Sequence, residues 1–294
     1  MNNKIFLSII IPYYNRIELL YETLKSIINN NDNDFEIILV DDGSTKHLSK
    51  QIKKIIFNNT RYYKIKNSER GYARNFGALK ARGEYLNFFD SDDLCLENHV
   101  SSSKKFATKN KYPPIFANSF YFENKLKNKI KMIKYKKKLN SQIFNGNIIS
   151  CNSLIIKKNI FLKYKFNENR NLSGSEDWDL WLRLASEHII LGNDDITTIL
   201  CDHSSRSTKK QNKDSILKRL DILHSNITNY KLPKLKEKEK QILSEIFLFK
   251  SMILSFYNFE KINTIRFLYK SILLYKIKIF NIRTLVILKN LIIK

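Results

Sequence analysis

The chain has 294 residues, near twice the rough 150 of one domain, so one large domain plus an appendage is expected. Its 43% hydrophobic and 12% aromatic content excludes disorder as the main state, and 7 Gly and 4 Pro exclude collagen-like and low-complexity classes. With 52 Lys and Arg against 28 Asp and Glu, the net charge is +24, which points to an anionic partner: nucleic acid, a phosphorylated substrate or acidic lipid.

In chain order, Phe6–Ile11 reads as a buried strand stopped by Pro12, and Ile17, Leu20, Leu24, Ile27 and Ile28 follow helical spacing. Phe35–Val40 is a second apolar strand ending in Asp41-Asp42-Gly43-Ser44, and Leu48, Ile52, Ile55 and Ile56 share one helical face. Arg61–Lys66 reads as a strand, Tyr72–Ala81 as a helix, and Glu84–Phe89 as a strand ending in Asp90-Ser91-Asp92-Asp93. Such alternation predicts an α/β fold with a parallel sheet covered on both faces, whose ligands bind beyond the carboxyl ends of the strands. Pro, Asp or Gly chemistry stands at three of those ends.

Leu96–Lys109 reads as a helix, Ile115–Glu123 as a strand, and Lys125–Lys138 as a half-exposed strand or hairpin with its lysines outward. Ser173-Gly174-Ser175-Glu176-Asp177 leads into a helix carrying Trp178, Trp181, Leu182 and Leu184. From about Ser204 helical patterns dominate, and after Glu260 there are eight Lys or Arg and no acid. Two readings of that tail stay open: a helical cap with a solvated basic face, or an interfacial helix on anionic lipid.

Cys95, Cys151 and Cys201 lie far apart without C-x-x-C spacing, which fits a reducing cytosol better than a disulfide or zinc framework. The run Ile5–Ile11 is too short for a signal peptide, and no stretch of roughly 18 residues lacks charge. A soluble or peripheral protein is expected.

Several residues could carry chemistry. Asp90 and Asp92, at alternate positions past a buried strand, can reach one divalent cation, although Asp-Ser-Asp-Asp is also ordinary turn and cap chemistry. Asp41-Asp42-Gly43 is either a turn with Gly at positive φ or a carboxylate that accepts from a nucleobase or ribose. Ser173-x-x-Glu176 reads as a capping box, and acids in the first turn, Glu176, Asp177 and Asp179, favour the helix dipole.

Taken in order, Ser8–Arg16, Val40-Asp41-Asp42-Gly43-Ser44-Thr45, Gly71–Asn75 through Ala81–Tyr85, Phe89–Asp93 and Glu176–Asp179 closely resemble the family 2 glycosyltransferases over roughly residues 5–207. The resemblance implies the GT-A fold, a mostly parallel central sheet flanked by helices, and inverting transfer from a nucleotide-diphosphate sugar. It implies that Pro12 and Arg16 line the nucleotide pocket, that Asp42 with Asp41 beside it contacts the base, and that Arg74 contacts the nucleotide or holds the aspartate loop. Asp90 would face the ribose and Asp92 the metal, with Asp93 a neighbour, and Asp177 would be the general base. His203 matches a histidine that reaches the metal or diphosphate, with Arg206 and Ser207 on the same loop. Trp178 and Trp181 at helical spacing are most simply core, with sugar stacking by Trp178 a minor reading.

The expected organisation is a GT-A domain over residues 1–207, with 1–94 for the nucleotide sugar and 95–207 for the acceptor, followed by a basic helical extension over 208–294. The expected donor is a UDP-hexose with Mn²⁺ or Mg²⁺. The expected acceptor is a surface glycan such as lipo-oligosaccharide, capsule or a lipid-linked oligosaccharide, reached from the cytoplasmic side of the membrane. A basic nucleic-acid-binding protein and an inactive GT-A scaffold are the alternatives. The first lacks an RNP motif, zinc spacing or a Gly-rich basic run, and no nucleic acid is expected; the second sits poorly with Asp90, Asp92 and Asp177 in place. A dinucleotide dehydrogenase is disfavoured because no G-x-G-x-x-G follows the first strand.

Overall fold

Seven successive buried residues, Leu7–Tyr13 (β1), make a strand that needs cover on both faces and pairing on both edges. The computed structural model describes residues 5–56, 59–124, 129–203, 206, 212–257 and 260–293. After β1 come α1 (Ile17–Ile28), β2 (Phe35–Asp41), α2 (Lys50–Ile55), β3 (Thr60–Lys64), α3 (Arg70–Lys80), β4 (Tyr85–Phe88) and β5 (Leu94–Cys95). Next are α4 (His99–Lys109), β6 (Ile115–Asn124), β7 (Lys129–Ile133), β8 (Lys137–Lys138), α5 (Asn140–Ile143), β9 (Leu154–Lys157) and α6 (Lys158–Tyr164). The chain closes with α7 (Glu176–Glu187), β10 (Leu191–Leu200), α8 (Lys213–Asn229), α9 (Pro233–Leu254), α10 (Lys261–Leu274) and α11 (Ile282–Ile293).

The residues group into two units. The first takes Met1–Asn140, Ile149–Arg170 and His188–Arg206, and with them the whole sheet. The second takes Ser141–Ile148, Asn171–Glu187 and Ser207–Lys294, so α7 groups with the C-terminal helices.

The sheet runs β3-β2-β1-β4-β9-β6-β10-β5, with β7 on β6 and β8 on β10. Its first four strands are parallel, β9 is antiparallel to both neighbours, and β6 and β10 are again parallel. The result is a mixed sheet, mostly parallel by paired length, flanked by helices. Helix α1 turns Ile17, Leu20, Leu24 and Ile27 into the core, as their 3.6-residue period requires. Helix α3 lies so close to the sheet that a Cβ on Gly77 would meet Ile10 at 2.4 Å, so only glycine fits there.

The lysine-rich hairpin departs from simple alternation. On β7, Ile130 and Met132 are exposed along with Lys131, so its apolar set is not buried beneath outward lysines. Residues 125–128 lie outside the described residues. All three cysteines are free thiols.

Beneath the carboxyl end of β4 lies a buried polar network. The Asn87 amide donates to the carbonyls of Asn152 and Leu154 at 2.9 Å, so its oxygen accepts from His99 Nε2 at 3.2 Å. That leaves His99 Nδ1 to accept from the Thr197 hydroxyl at 2.9 Å. Both ring nitrogens are thus satisfied by the neutral tautomer, and burial holds the His99 pKa down at about 4. Below the ordinary 6.5 the unfolded chain takes up a proton here that the folded chain refuses until about pH 4, so stability is lost as pH falls through that window. The expected loss from this residue is about 3 kcal/mol. Urea denaturation at pH 7 and pH 4.5 should show a smaller drop for His99→Gln than for the parent chain.

Candidate active site

The parallel strands deliver their carboxyl ends side by side, where ligands of open α/β sheets bind. Pro12 pairs with Val40 and Tyr13 with Asp41, and the Asp42 N–H donates to the Tyr13 carbonyl at 2.9 Å. Gly43 has φ +78°, and a Cβ there would lie 2.6 Å from the Asn67 nitrogen, so the turn admits glycine for two reasons. Asn15, itself at φ 54°, accepts from the Thr45 and Lys46 N–H groups and ties the β1 loop to the β2 loop.

Both aspartates of the second loop are buried and partnered. Asp41 accepts from the Ser44 N–H at 2.7 Å and the Tyr62 hydroxyl at 2.8 Å. Asp42 accepts from the N–H groups of Ser68 at 2.8 Å and Glu69 at 3.1 Å, which fixes the loop before α3. Burial raises the Asp42 pKa, an effect those two N–H groups partly offset.

At the end of β4 the acids converge. Oxygens of Asp90, Asp92 and Asp93 lie within 4.8 Å of one another. Arg74, almost wholly buried, donates to Asp90 at 2.7 Å, and Arg16 donates to Asp92 at 2.6 Å. His203 Nε2 lies 3.0 Å from the same Asp92 oxygen, so a residue more than a hundred positions downstream joins the cluster. Arg206 stands 3.7 Å from Asp93. Ser207 lies outside the described residues.

The three carboxyls differ in electrostatic setting. Burial opposes ionisation of Asp90, but the guanidinium groups of Arg74 and Arg70 outweigh it and lower the pKa. Burial, reinforced by Asp92 and Asp90, pushes the Asp93 carboxyl up to about 8. Both Asp93 oxygens are held inside the protein, by the Cys201 N–H and the Asn152 amide at 2.8 Å each. Asp93 therefore anchors the loop, and Asp90 and Asp92 are the outward members. This set of hard oxygen donors, with an imidazole against Asp92, fits Mg²⁺ or Mn²⁺.

Asn152 escaped the sequence reading. Its amide oxygen accepts from the Asp90 N–H at 2.9 Å while its nitrogen donates to Asp93, so one buried side chain sets two of the three acids. Ser150-Cys151-Asn152-Ser153 carries no motif that marks it, and Arg70 and Tyr62 were missed for the same reason.

In the second unit, α7 opens with three acids in different states. The buried Glu176 accepts from the Gly174 N–H at 2.6 Å, within the turn that starts the helix. Asp179, wholly buried, holds Arg183 at 2.9 Å and also accepts from Asn226 and Tyr230. Asp177 is half-buried and accepts from the Asn147 amide at 3.0 Å. Trp178 is core, its indole N–H donating to the Ile143 carbonyl, and Trp181 is fully buried.

The family model described as Glycosyl transferase family 2 matches residues 8–165. An uncharacterised glycosyltransferase of Rickettsia conorii is 32% identical over 207 residues, 65% of this chain and 32% of that protein. The minor teichoic acid biosynthesis protein GgaB of Bacillus subtilis is 31% identical over 58% of this chain and 20% of its own length. The chain thus spans about a third of the length of the first relative and a fifth of the second. Among solved structures, S. aureus TarS 1–349 in complex with UDP-GlcNAc has a TM-score of 0.70 at 19% identity, covering 92% of this chain and 81% of that one. At that identity the likeness establishes the fold, which is GT-A.

Because Asn152 satisfies both an N–H and a carboxyl in a buried place, Asn152→Ala should cost about 2–4 kcal/mol of stability. Chemical denaturation measures it, and an unchanged midpoint would contradict the anchoring role.

Proposed function

The chain belongs to glycosyltransferase family 2, and from that premise we propose that it moves a hexose from a UDP-sugar to a hydroxyl of a cell-surface glycan, inverting the anomeric carbon. The observation that carries this reading is the cluster of Asp90, Asp92 and Asp93 ringed by Arg16, Arg74 and His203 at the ends of the parallel strands. Acids alone would repel a diphosphate; acids interleaved with guanidinium groups suit one that arrives with a cation.

Pro12, Arg16, Asp41, Asp42 and Arg74 are assigned to the nucleotide, with Asp90 towards the ribose. Asp92 and His203 would hold Mn²⁺ or Mg²⁺, which when bound supplies a Lewis acid against the charge of the leaving diphosphate. Arg16 and Arg74, now paired to the acids, can turn a donor to phosphate oxygens. Asp177 takes the acceptor's hydroxyl proton as that oxygen bonds to the anomeric carbon and the bond to the diphosphate breaks, releasing UDP. An aspartate is too weak a base to ionise an alcohol first, so proton transfer runs with attack. Glu176 and Asp179 are spent on the turn and on Arg183, which supports Asp177 for this role.

Residues 1–94 are assigned to the donor, 95–207 to the acceptor and 208–294 to a basic helical extension. The uridine donor is supported by the UDP-GlcNAc bound to TarS, and the surface-glycan acceptor by the teichoic acid role in GgaB's name. A cytoplasmic enzyme at the inner face of the membrane accords with the excess of Lys and Arg.

A screen of UDP-, GDP-, CMP- and dTDP-sugars by thermal shift and hydrolysis, with and without Mn²⁺, tests the donor. A UDP-sugar should stabilise the chain most and only with metal, and equal response to all nucleotides would refute that choice. Asp92→Ala should abolish the metal-dependent shift while the apo melting temperature stays within a few degrees; a full shift in chelator would remove the metal assignment. Asp177→Asn should lower kcat by about 10²–10⁴-fold with donor affinity unchanged. A loss of donor affinity instead would place Asp177 outside base catalysis.

A further inference from the structure

The outer faces of the last two helices are apolar where a solvated helix is polar. On α10, Ile262, Ile265, Tyr269 and Leu273 fall three and four residues apart on one stripe, all exposed, Ile262 to 83%. Thr264, Leu268 and Ser271 of the same helix face inward. On α11, Ile282, Leu285, Leu288 and Ile292 repeat the pattern, Ile292 at 84% exposure, with Thr284 and Ile287 inward. The 3-10 turn between them, Lys276–Phe280, adds Ile277, Ile279 and Phe280, the last 85% exposed. The inward core that α9, α10 and α11 share is small: Leu248, Leu268 and Ile287, with Met252, Ile272 and Leu291 packed against it. On α10 and α11 themselves, more large apolar side chains are exposed than buried.

Cations stand among them. Lys261, Arg266, Lys276 and Lys289 are exposed, and after Glu260 the sequence has no acid to offset them. We propose that the outer faces of α10 and α11, with the turn between, form a docking surface for an anionic phospholipid bilayer. A bilayer of that kind supplies an acyl boundary for Ile, Leu and Phe and negative headgroups for Lys and Arg. A second copy of the chain suits the face less well, because a two-fold contact would bring the same cations together with no carboxylate in the segment between them. Among the described residues no helix is long and apolar enough to cross a membrane, and the proposal is for helices lying in the interface. Nothing in it depends on which sugar is transferred or which residue is the base.

The test sediments the full chain with vesicles of phosphatidylglycerol and phosphatidylcholine, and with phosphatidylcholine alone. Binding should favour the anionic vesicles by about tenfold or more and weaken as salt rises. Ile262→Ser, Phe280→Ser and Ile292→Ser combined should lower that binding by about tenfold or more, with melting temperature and UDP-sugar turnover unchanged because these side chains are exposed. Charge-neutral Lys261→Gln, Arg266→Gln and Lys289→Gln should abolish the preference for the anionic lipid. Equal vesicle binding by parent and triple-Ser variant overturns the proposal. So does a lipid-free dimer that the same substitutions dissociate, which would make a second copy the occupant. A chain inert towards nucleotide sugars that still binds anionic vesicles would fail the donor reading and leave this one standing.

Discussion

Carboxylates crowded at the end of a buried strand repel one another and lose their hydration, and the sheet-bearing unit is organised around that penalty. Asp93 meets it by burial with both oxygens accepting, Asp90 by an ion pair to a buried arginine, and Asp92 by Arg16 and His203 together. Such a cluster is worth keeping only if its outward oxygens have a use. On the proposed reading its compensating groups are the ones that a diphosphate with its cation would engage, so a bound donor would replace interactions already in place rather than require new ones.

The supports of the cluster are themselves polar and buried. Asn152 bridges Asp90 and Asp93, Asn87 holds the backbone on either side of Leu154's strand start, and His99 closes the chain of hydrogen bonds to Thr197 on β10. Each donor in that chain has its acceptor, so the network is rigid as well as affordable inside the core. Rigidity matters here because a shift of the loop by an ångström would separate Asp92 from His203 and Arg16. The fold thus uses polar side chains in strands β4 and β10, where an apolar pattern would have served packing alone, to fix a site.

In the helical unit, apolar side chains that the inner core cannot take lie on the outside of α10 and α11. The buried Glu245 pairs with the buried Lys278 and the part-exposed Arg283, while Lys261, Arg266, Lys276 and Lys289 stay exposed among those apolar side chains. That mixture of apolar side chains and cations is what the proposed bilayer contact would cover.

Apart from the two-residue β5, the strands and helices of the first 110 residues were legible from their periods: unbroken apolar runs for β1 and β2, 3.6-residue spacing for α1. Strand ends supplied Asp42, Asp90 and Asp92 as candidates, since turn chemistry after a parallel strand is where ligands bind. Strands β9 and β10 were not legible; Leu154–Lys157 is only four residues, and Leu191–Leu200 is interrupted by Gly192-Asn193-Asp194-Asp195, so neither has a period to read. The sequence by itself therefore determined the α/β alternation, the acidic strand ends and the basic tail, because local periodicity and turn preference depend on neighbours in the chain. Only the tertiary structure decided that Asn152 anchors two acids, that His203 reaches Asp92, and that the tail turns its isoleucines outward. Those are contacts and burial between residues tens of positions apart, which hydrogen-bond geometry and packing set and no local pattern encodes.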